Sequence, residues 1–154
     1  MKFKALLQAV AIVALSSAAA GLTWHFQGGP DRSVACAAEL LKEGEICLAD
    51  VPSEGVIWVD ARSRKQFEQD AVPGALLLTD DRHENWDALL VEVVPQLFDA
   101  KIVVIYCNTE ACGSSEAVAK KLRELDLGPE IRVLYGGWKA FVASGKVTSA
   151  KKKN

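Results

Sequence analysis

The stretch IVVIYCNTEACGSS, residues 102–115, determines how the whole chain is interpreted. Its first five residues, four of them β-branched, form an uncharged run that is typical of a strand buried on both faces. Cys107 follows this run directly, and a short polar loop then leads into the helix-forming sequence SEAVAKKLREL. The order of strand, cysteine, loop and helix predicts that Cys107 lies where a loop and a helix N-terminus converge.

Strand-like and helix-like segments alternate along the rest of the chain. Strands are predicted for VIWVD, ALLL and IRVLYGG, and helices for SRKQFEQ, ENWDALLVEVVPQLF, SSEAVAKKLRELDLG and WKAFVASG. Pro95 should kink or end the second of these helices, and an earlier helix is predicted from Ser33 to a stop at Gly44. This alternation predicts an α/β fold in which helices flank a central parallel sheet and ligands bind beyond the carboxyl ends of its strands.

The composition suits one globular domain with some additional sequence. The chain has 154 residues, of which 50% are hydrophobic and 25% charged, enough for a proper core. A formal net charge of -2 produces no strong field of one sign, so neither nucleic acid nor an anionic surface is indicated as a partner. Residues 147–154, which include three lysines, are predicted to be a solvated basic tail.

The first residues differ from the rest of the chain. Two lysines precede residues 5–22, which carry no charge and are numerous enough to cross a bilayer as a hydrophobic helix. Residues 1–24 are therefore predicted to be a cleaved signal sequence or a transmembrane anchor, and residues 25–44 a linker and leading helix. The lysines before the apolar run predict a domain that is periplasmic or otherwise extracytoplasmic, held at the inner membrane if the segment is retained.

An oxidising compartment makes the four cysteines candidates for disulfides. Cys36 and Cys47 flank the first predicted helix, and their separation allows a structural bridge that pins this segment to the domain. Buried thiols or exchange with the loop cysteines are the alternatives. Zinc is not indicated, because the cysteines form no C-x2-C pair and the two histidines are His25 and His83.

A cysteine at a helix N-terminus is suited to nucleophilic chemistry. Unpaired N–H groups and the partial positive charge of the helix end stabilise a thiolate or a bound anion, which lowers the pKa of the thiol. The alternative is a small buried hydrophobic residue that ends a strand, and the spacing alone does not choose between them. The predicted active-site loop comprises Cys107, Asn108, Thr109, Glu110, Ala111, Cys112, Gly113 and Ser114.

Three motifs resemble those of the rhodanese-like domains, in the same order and at similar separations. VDARSRKQFEQDAVPGALLL contains Asp60 and Arg62 as the family's D-x-R, followed by V-P-G-A in place of its I-P-G-A turn. VVIYCNTEACGSS places Cys107 at the active cysteine, and VLYGGWKAF contains the glycine pair after the last main strand. The resemblance covers about residues 45–146 and implies the three-layer rhodanese-like fold for that domain.

The resemblance also implies an activity. Cys107 would take a sulfane sulfur from a thiosulfate-like donor, hold it as a persulfide and pass it to a thiophilic acceptor. The partners are then a small sulfur-containing donor and a thiol acceptor, and no metal or organic cofactor is implied. Asp60 and Arg62 are predicted to support the site as an ion pair, with an anion-guiding role for Arg62 as the alternative. The sequence does not indicate the oligomeric state.

The sequence also departs from the family pattern. Its loop has no arginine or lysine to bind an oxyanion donor, and Glu110 should repel thiosulfate by on the order of a kcal/mol. The family's Gly-His before the turn is replaced by Asp70 and Ala71. Related phosphatases need an arginine where Gly113 stands, which argues against phosphatase chemistry.

The second cysteine of the loop leaves further alternatives open. Cys112 would resolve a persulfide or sulfenate on Cys107 as a disulfide, which would make the domain a thiol-disulfide or redox-sensing module. Alternatively, Cys112 only fills the loop or forms a static disulfide. A catalytically inert fold that binds a partner is the third hypothesis. Ser114 and Ser115 are expected to cap the helix, and a hydroxyl turned towards Cys107 would also stabilise its thiolate.

Overall fold

Five short parallel strands form one sheet. The computed structural model describes residues 36–108 and 113–145, which belong to a single domain. The spatial order of the strands is β1-β5-β4-β2-β3, and every neighbouring pair is parallel, so the predicted α/β fold is confirmed. In chain order the elements are β1 (Glu45–Ile46), β2 (Val56–Asp60), α1 (Arg64–Gln69), β3 (Leu76–Leu77), α2 (Trp86–Leu97), β4 (Ile102–Tyr106), α3 (Gly113–Glu124), β5 (Glu130–Leu134) and α4 (Gly137–Ala143).

The strand β4 is central, and its apolar sequence explains its position. All five residues are buried, because β2 and β5 flank the strand and helices cover both faces of the sheet. Val103 and Ile105 pack in one core cluster with residues of α2 and α3, whereas Ile102 and Val104 pack in a second cluster with α4. Successive strand residues alternate between faces, and Cys107 continues this alternation on the side of α3.

The helix predicted between Ser33 and Gly44 is wrong within the described residues. Its described part, residues 36–44, contains only a 3-10 helix, Ala38–Leu40, in which no residue is buried. The predicted disulfide between Cys36 and Cys47 is present and holds their Cα atoms 5.8 Å apart. After the predicted stop at Gly44, the chain forms β1, a strand that was not predicted from the sequence.

The other predicted elements are present with shifted ends. The strand predicted as ALLL is reduced to Leu76–Leu77. Pro95 lies inside α2, which continues to Leu97, although proline cannot donate a hydrogen bond to the carbonyl one turn earlier. Pro95 and Val91 are both exposed, so water can satisfy the carbonyl of Val91.

Several predictions concern residues outside the described ranges. They include the signal or anchor segment, residues 1–24, and the basic tail, residues 147–154. The boundaries proposed for residues 25–44 and 45–146 also stay predictions. Among the residues that the structure describes, no helix is both long enough and apolar enough to cross a membrane.

Candidate functional site

The carboxyl ends of three neighbouring strands form the edge of the sheet that holds the site. Asp60 ends β2 and Tyr106 ends β4, and the two residues are direct partners in the register of the sheet. Cys107 follows β4, and a turn through Gly136 connects β5 to α4 at the same edge. Cys107 is therefore at the edge predicted from the sequence.

Two helices hold Cys107, which is 2% exposed. The backbone N–H of Trp138, in the first turn of α4, donates to the carbonyl of Cys107 at an N to O distance of 2.6 Å. The hydroxyl of Ser115, in the first turn of α3, donates to the sulfur of Cys107 at an Oγ to Sγ distance of 3.3 Å. The backbone and the sulfur of Cys107 are thus positioned by different helices.

The glycine pair before α4 makes the contact with Trp138 feasible. Gly136 and Gly137 have φ angles of 77° and 52°, in the left-handed region that disfavours side chains. Their conformation turns the chain sharply from β5 into α4 and directs the N–H of Trp138 towards Cys107.

Arg62 is buried between two carboxylates. Its Nε and Nη2 donate to Asp60 at 3.0 Å and 2.8 Å, and its Nη1 donates to Oδ1 of Asp70 at 3.1 Å. Nη2 also donates to the backbone carbonyl of Asp70. The side chains of Arg62 and Asp60 are 2% and 0% exposed, whereas that of Asp70 is 23% exposed. Asp70 therefore extends the predicted ion pair towards the solvent.

Two aromatic rings contact the guanidinium group of Arg62. The guanidinium carbon lies 4.1 Å from the centroid of the Trp138 ring and 5.6 Å from that of Tyr106, within the range of cation–π attraction. Burial alone would lower the pKa of Arg62, but the hydrogen bond and charge of Asp60, together with Asp70, raise this pKa above its ordinary value. Arg62 is therefore a permanent cation. It links Asp60 and Asp70 to Trp138, whose backbone N–H donates to Cys107.

A cleft of about 260 Å³ adjoins the residue that follows Cys107. Asn108, which follows the cysteine, and Ser114, which precedes Ser115, both line the cleft, as does Arg62. The amide Nε2 of Gln66 donates to Oδ1 of Asn108 at 3.1 Å, and this hydrogen bond orients the Asn108 side chain at the wall of the cleft.

The structure describes only part of the predicted loop. Thr109, Glu110, Ala111 and Cys112 lie outside the described residues, so a pairing of Cys107 with Cys112 stays a prediction. Gly113 begins α3, so the serines expected as caps lie within its first turn instead. No group of three or more His, Cys, Asp or Glu side chains in residues 36–108 and 113–145 is placed to hold a metal ion.

Two residues of the site were not predicted from the sequence. Trp138 contacts both Cys107 and Arg62, although no sequence motif assigned it a role in the site. Asp70 was expected only to depart from the family pattern. This departure could have indicated the contact, because an acid near the arginine of the D-x-R motif can form a second ion pair with that arginine.

Tyr106 makes the stability of the domain depend on pH. Its hydroxyl accepts a hydrogen bond from the Val72 N–H at 3.2 Å. Burial, followed by the charge of Asp60, raises the pKa of Tyr106 far above its ordinary value. In the unfolded chain the phenol ionises near pH 10, so the stabilisation is fully present below about pH 10 and is lost as the pH rises further.

We therefore expect the free energy of unfolding to fall by up to about 1.4 kcal/mol per pH unit above pH 10. Denaturant titrations at stepped pH values measure this slope. Tyr106→Phe removes the titrating group and should flatten the slope, although it also lowers stability at neutral pH by about 1–3 kcal/mol because the Val72 N–H loses its acceptor. Equal alkaline slopes in the two proteins would contradict the prediction.

Comparison with known proteins assigns the family. The family model of the Rhodanese-like domain matches residues 37–144 of this sequence. The crystal structure of the BH2092 protein from Bacillus halodurans is similar, with 24% identity, a TM-score of 0.52 and coverage of 66% of this chain and 72% of that chain. The As-Sb reductase from Leishmania major has 17% identity, a TM-score of 0.47 and coverage of 60% and 66%, respectively. No curated relative matches the sequence. Because the family model matches well over half of the chain, this protein belongs to the rhodanese-like domain family.

Proposed function

We propose that the domain is a sulfurtransferase in which Cys107 carries sulfur as a persulfide. The observation that carries the proposal is the direction of the Ser115 hydroxyl, whose oxygen lies 3.3 Å from the Cys107 sulfur at the carboxyl end of the central strand. A hydrogen bond donated to this sulfur, in the first turn of a helix, favours the nucleophilic thiolate. Membership of the rhodanese-like family supports the same role.

The reaction consists of two displacements at sulfur. The Cys107 thiolate attacks the sulfane sulfur of the donor, so that a new S–S bond forms while the bond from that sulfur to the rest of the donor breaks. The leaving group departs with the electron pair, as a thiolate from a persulfide or as sulfite from thiosulfate. An acceptor thiolate then attacks the carried sulfur, and Cys107 leaves as a thiolate. Electrons balance in both steps without an external oxidant or reductant.

The thiol-disulfide alternative depends on Cys112, which lies outside the described residues. No contact among the described residues favours it over sulfur transfer. It therefore stays a hypothesis from the C-x4-C spacing, and peptide mapping of the native protein tests it.

We also propose that the domain works in an oxidising compartment outside the cytoplasm. The disulfide between Cys36 and Cys47 supports this location, because such bonds persist mainly in oxidising environments. The uncharged residues 5–22 support export. Detection of the protein only in the cytosolic fraction of its own cells, with both cysteines reduced, would refute the proposal.

The test of sulfur transfer uses the purified full chain, reduced and then incubated with either thiosulfate or a small persulfide. We expect the peptide that contains Cys107 to gain one sulfur atom, measured by mass spectrometry after alkylation. Ser115→Ala should slow this uptake by about three- to tenfold, the loss of one hydrogen bond to the reacting sulfur. The exposed Ser53 provides the matched control, Ser53→Ala.

Each outcome has a distinct meaning. If the Cys107 peptide gains no sulfur from either donor, the sulfurtransferase proposal fails. If the mapping instead finds Cys107 linked to Cys112, the redox hypothesis replaces it. Uptake at the original rate in Ser115→Ala would show that the Ser115 hydroxyl does not assist the thiolate.

A further inference from the structure

We propose that the cleft beside Cys107 prefers neutral and cationic sulfur compounds to oxyanions, and that Asp70 is the residue that sets this preference. The inference rests on the proposed function, because it names the class of donor or acceptor that the same site takes. Its basis is the environment of Arg62, a buried cation that lines the cleft.

The hydrogen bonds of Arg62 leave little of its guanidinium for a substrate. A guanidinium has five N–H donors in a fixed geometry. The two carboxylates and one carbonyl occupy the donor at Nε, one at Nη1 and both at Nη2. An incoming oxyanion would have to displace acceptors that the chain already holds in place. Arg62 is therefore a poor anion guide, which was the alternative left open by the sequence.

Asp70 is the partner that separates Arg62 from the solvent. Asp60 is completely buried, and the Trp138 ring stacks against the guanidinium, so both partners lie on the protein side. The Asp70 side chain is 23% exposed. With two carboxylates around one guanidinium, this group as a whole carries a negative charge.

Two further cations near the cleft, Lys121 and Arg64, are paired with carboxylates. Lys121 lies 2.6 Å from Oδ1 of Asp80, and its ammonium group lies over the Trp86 ring. Arg64 lies 2.7 Å from Oε2 of Glu84. These two ion pairs are electrically balanced and do not offset the negative charge around Arg62.

A further acid lines the cleft itself. Asp81 contributes to its wall, and its Oδ1 accepts a hydrogen bond from the backbone N–H of His83 at 3.0 Å. Within the described residues it forms no salt bridge. The charged residues that line the cleft, together with their ion-pair partners, therefore include more carboxylates than cations.

This excess of negative charge acts on molecules that enter the cleft. The carboxylates repel a dianion such as thiosulfate. They do not repel a neutral persulfide, and they attract a thiol that carries an ammonium group. We expect about tenfold discrimination at low ionic strength, and this preference should fade as salt screens the charges.

The experiment compares two alkylating reagents of similar size, neutral iodoacetamide and anionic iodoacetate, on the reduced full chain. In both reactions the Cys107 thiolate attacks the methylene carbon and iodide leaves, so sulfur transfer is not required. Mass spectrometry of the Cys107 peptide gives each rate, which is divided by the rate for a small reference thiol. We expect the normalised ratio to favour iodoacetamide by about tenfold at low salt and to fall at high salt.

Variants assign the preference to Asp70. Asp70→Asn keeps an oxygen that can accept from Nη1 but removes the charge, and it should lower the ratio by about three- to fivefold. Asp70→Glu retains the charge and should retain the preference. Asp99→Asn makes the same charge change at an exposed position before β4, at the amino edge of the sheet, and should leave the ratio unchanged.

Three results would overturn the inference. They are a low-salt ratio near or below one, equal ratios in Asp70→Asn and Asp99→Asn, or no alkylation of Cys107 by either reagent. Denaturant unfolding of each variant establishes that it is folded, so a lost preference is not mistaken for lost structure. Sulfur uptake with a ratio near one would overturn this inference alone, whereas a high ratio without any sulfur uptake would overturn only the proposed function.

Discussion

Cys107→Ser should abolish sulfur uptake while the domain stays folded. A serine hydroxyl is a weak nucleophile at neutral pH and forms no persulfide, so the transfer rate should fall by about three orders of magnitude or more. The substitution replaces one atom at a position that is 2% exposed, and the hydroxyl of Ser115 offers the new side chain a hydrogen-bonding partner. We expect a loss of stability of no more than about 2 kcal/mol.

The measurement is sulfur transfer from a persulfide donor to a small thiol, with denaturant unfolding of the same samples. Cys112→Ser is the matched control, because it removes the other loop cysteine and should leave uptake at Cys107 intact. Uptake that survives in Cys107→Ser but is lost in Cys112→Ser would assign the carrier to Cys112. That result would contradict the assignment of Cys107 as the sulfur carrier.

Arg62→Met should lower the free energy of unfolding by about 3–5 kcal/mol. Methionine retains much of the volume of arginine but leaves the buried Asp60 carboxylate without its cation. It also removes a partner of Asp70 and the guanidinium that stacks on Trp138. Breaking a buried ion pair from one side is costly because the remaining charge stays desolvated.

Denaturant titration measures this loss, and Arg132→Met provides the matched control. Arg132 forms an exposed ion pair with Glu130, so its removal should cost less than about 1 kcal/mol. The double variant Asp60→Asn with Arg62→Met should lose less than the sum of the two single variants, because the two residues share one interaction. Equal losses in Arg62→Met and Arg132→Met would show that the buried cluster contributes no more than a surface pair.

Local sequence patterns predicted most of the architecture. The uncharged run before Cys107 is sufficient to identify a strand covered on both faces, and it is the central strand of the sheet. The alternation of segments predicted parallel strands, and parallel strands bring their carboxyl ends to one edge. The position of Cys107 at that edge follows from these two properties, both of which depend on neighbouring residues in the chain.

Local patterns failed where tertiary packing did not support propensity. The residues after Cys36 favour a helix individually, but a helix this short needs tertiary packing. No residue of the 3-10 helix Ala38–Leu40 is buried, so burial does not stabilise a longer helix there. The sequence predicted the bridge to Cys47 correctly, but it could not show that this segment lacks a buried face.

The sequence by itself determined the α/β alternation, the central strand and the place of Cys107, because hydrophobic periodicity is a local property. The tertiary structure alone decided which side chains act on the cysteine. Ser115 reaches its sulfur because α3 begins at Gly113, and Trp138 reaches its carbonyl across the sheet. Asp70 adds a second carboxylate to Arg62 through a contact that depends on the path of the intervening chain. Such contacts follow from the packing of separate elements, which no local pattern encodes.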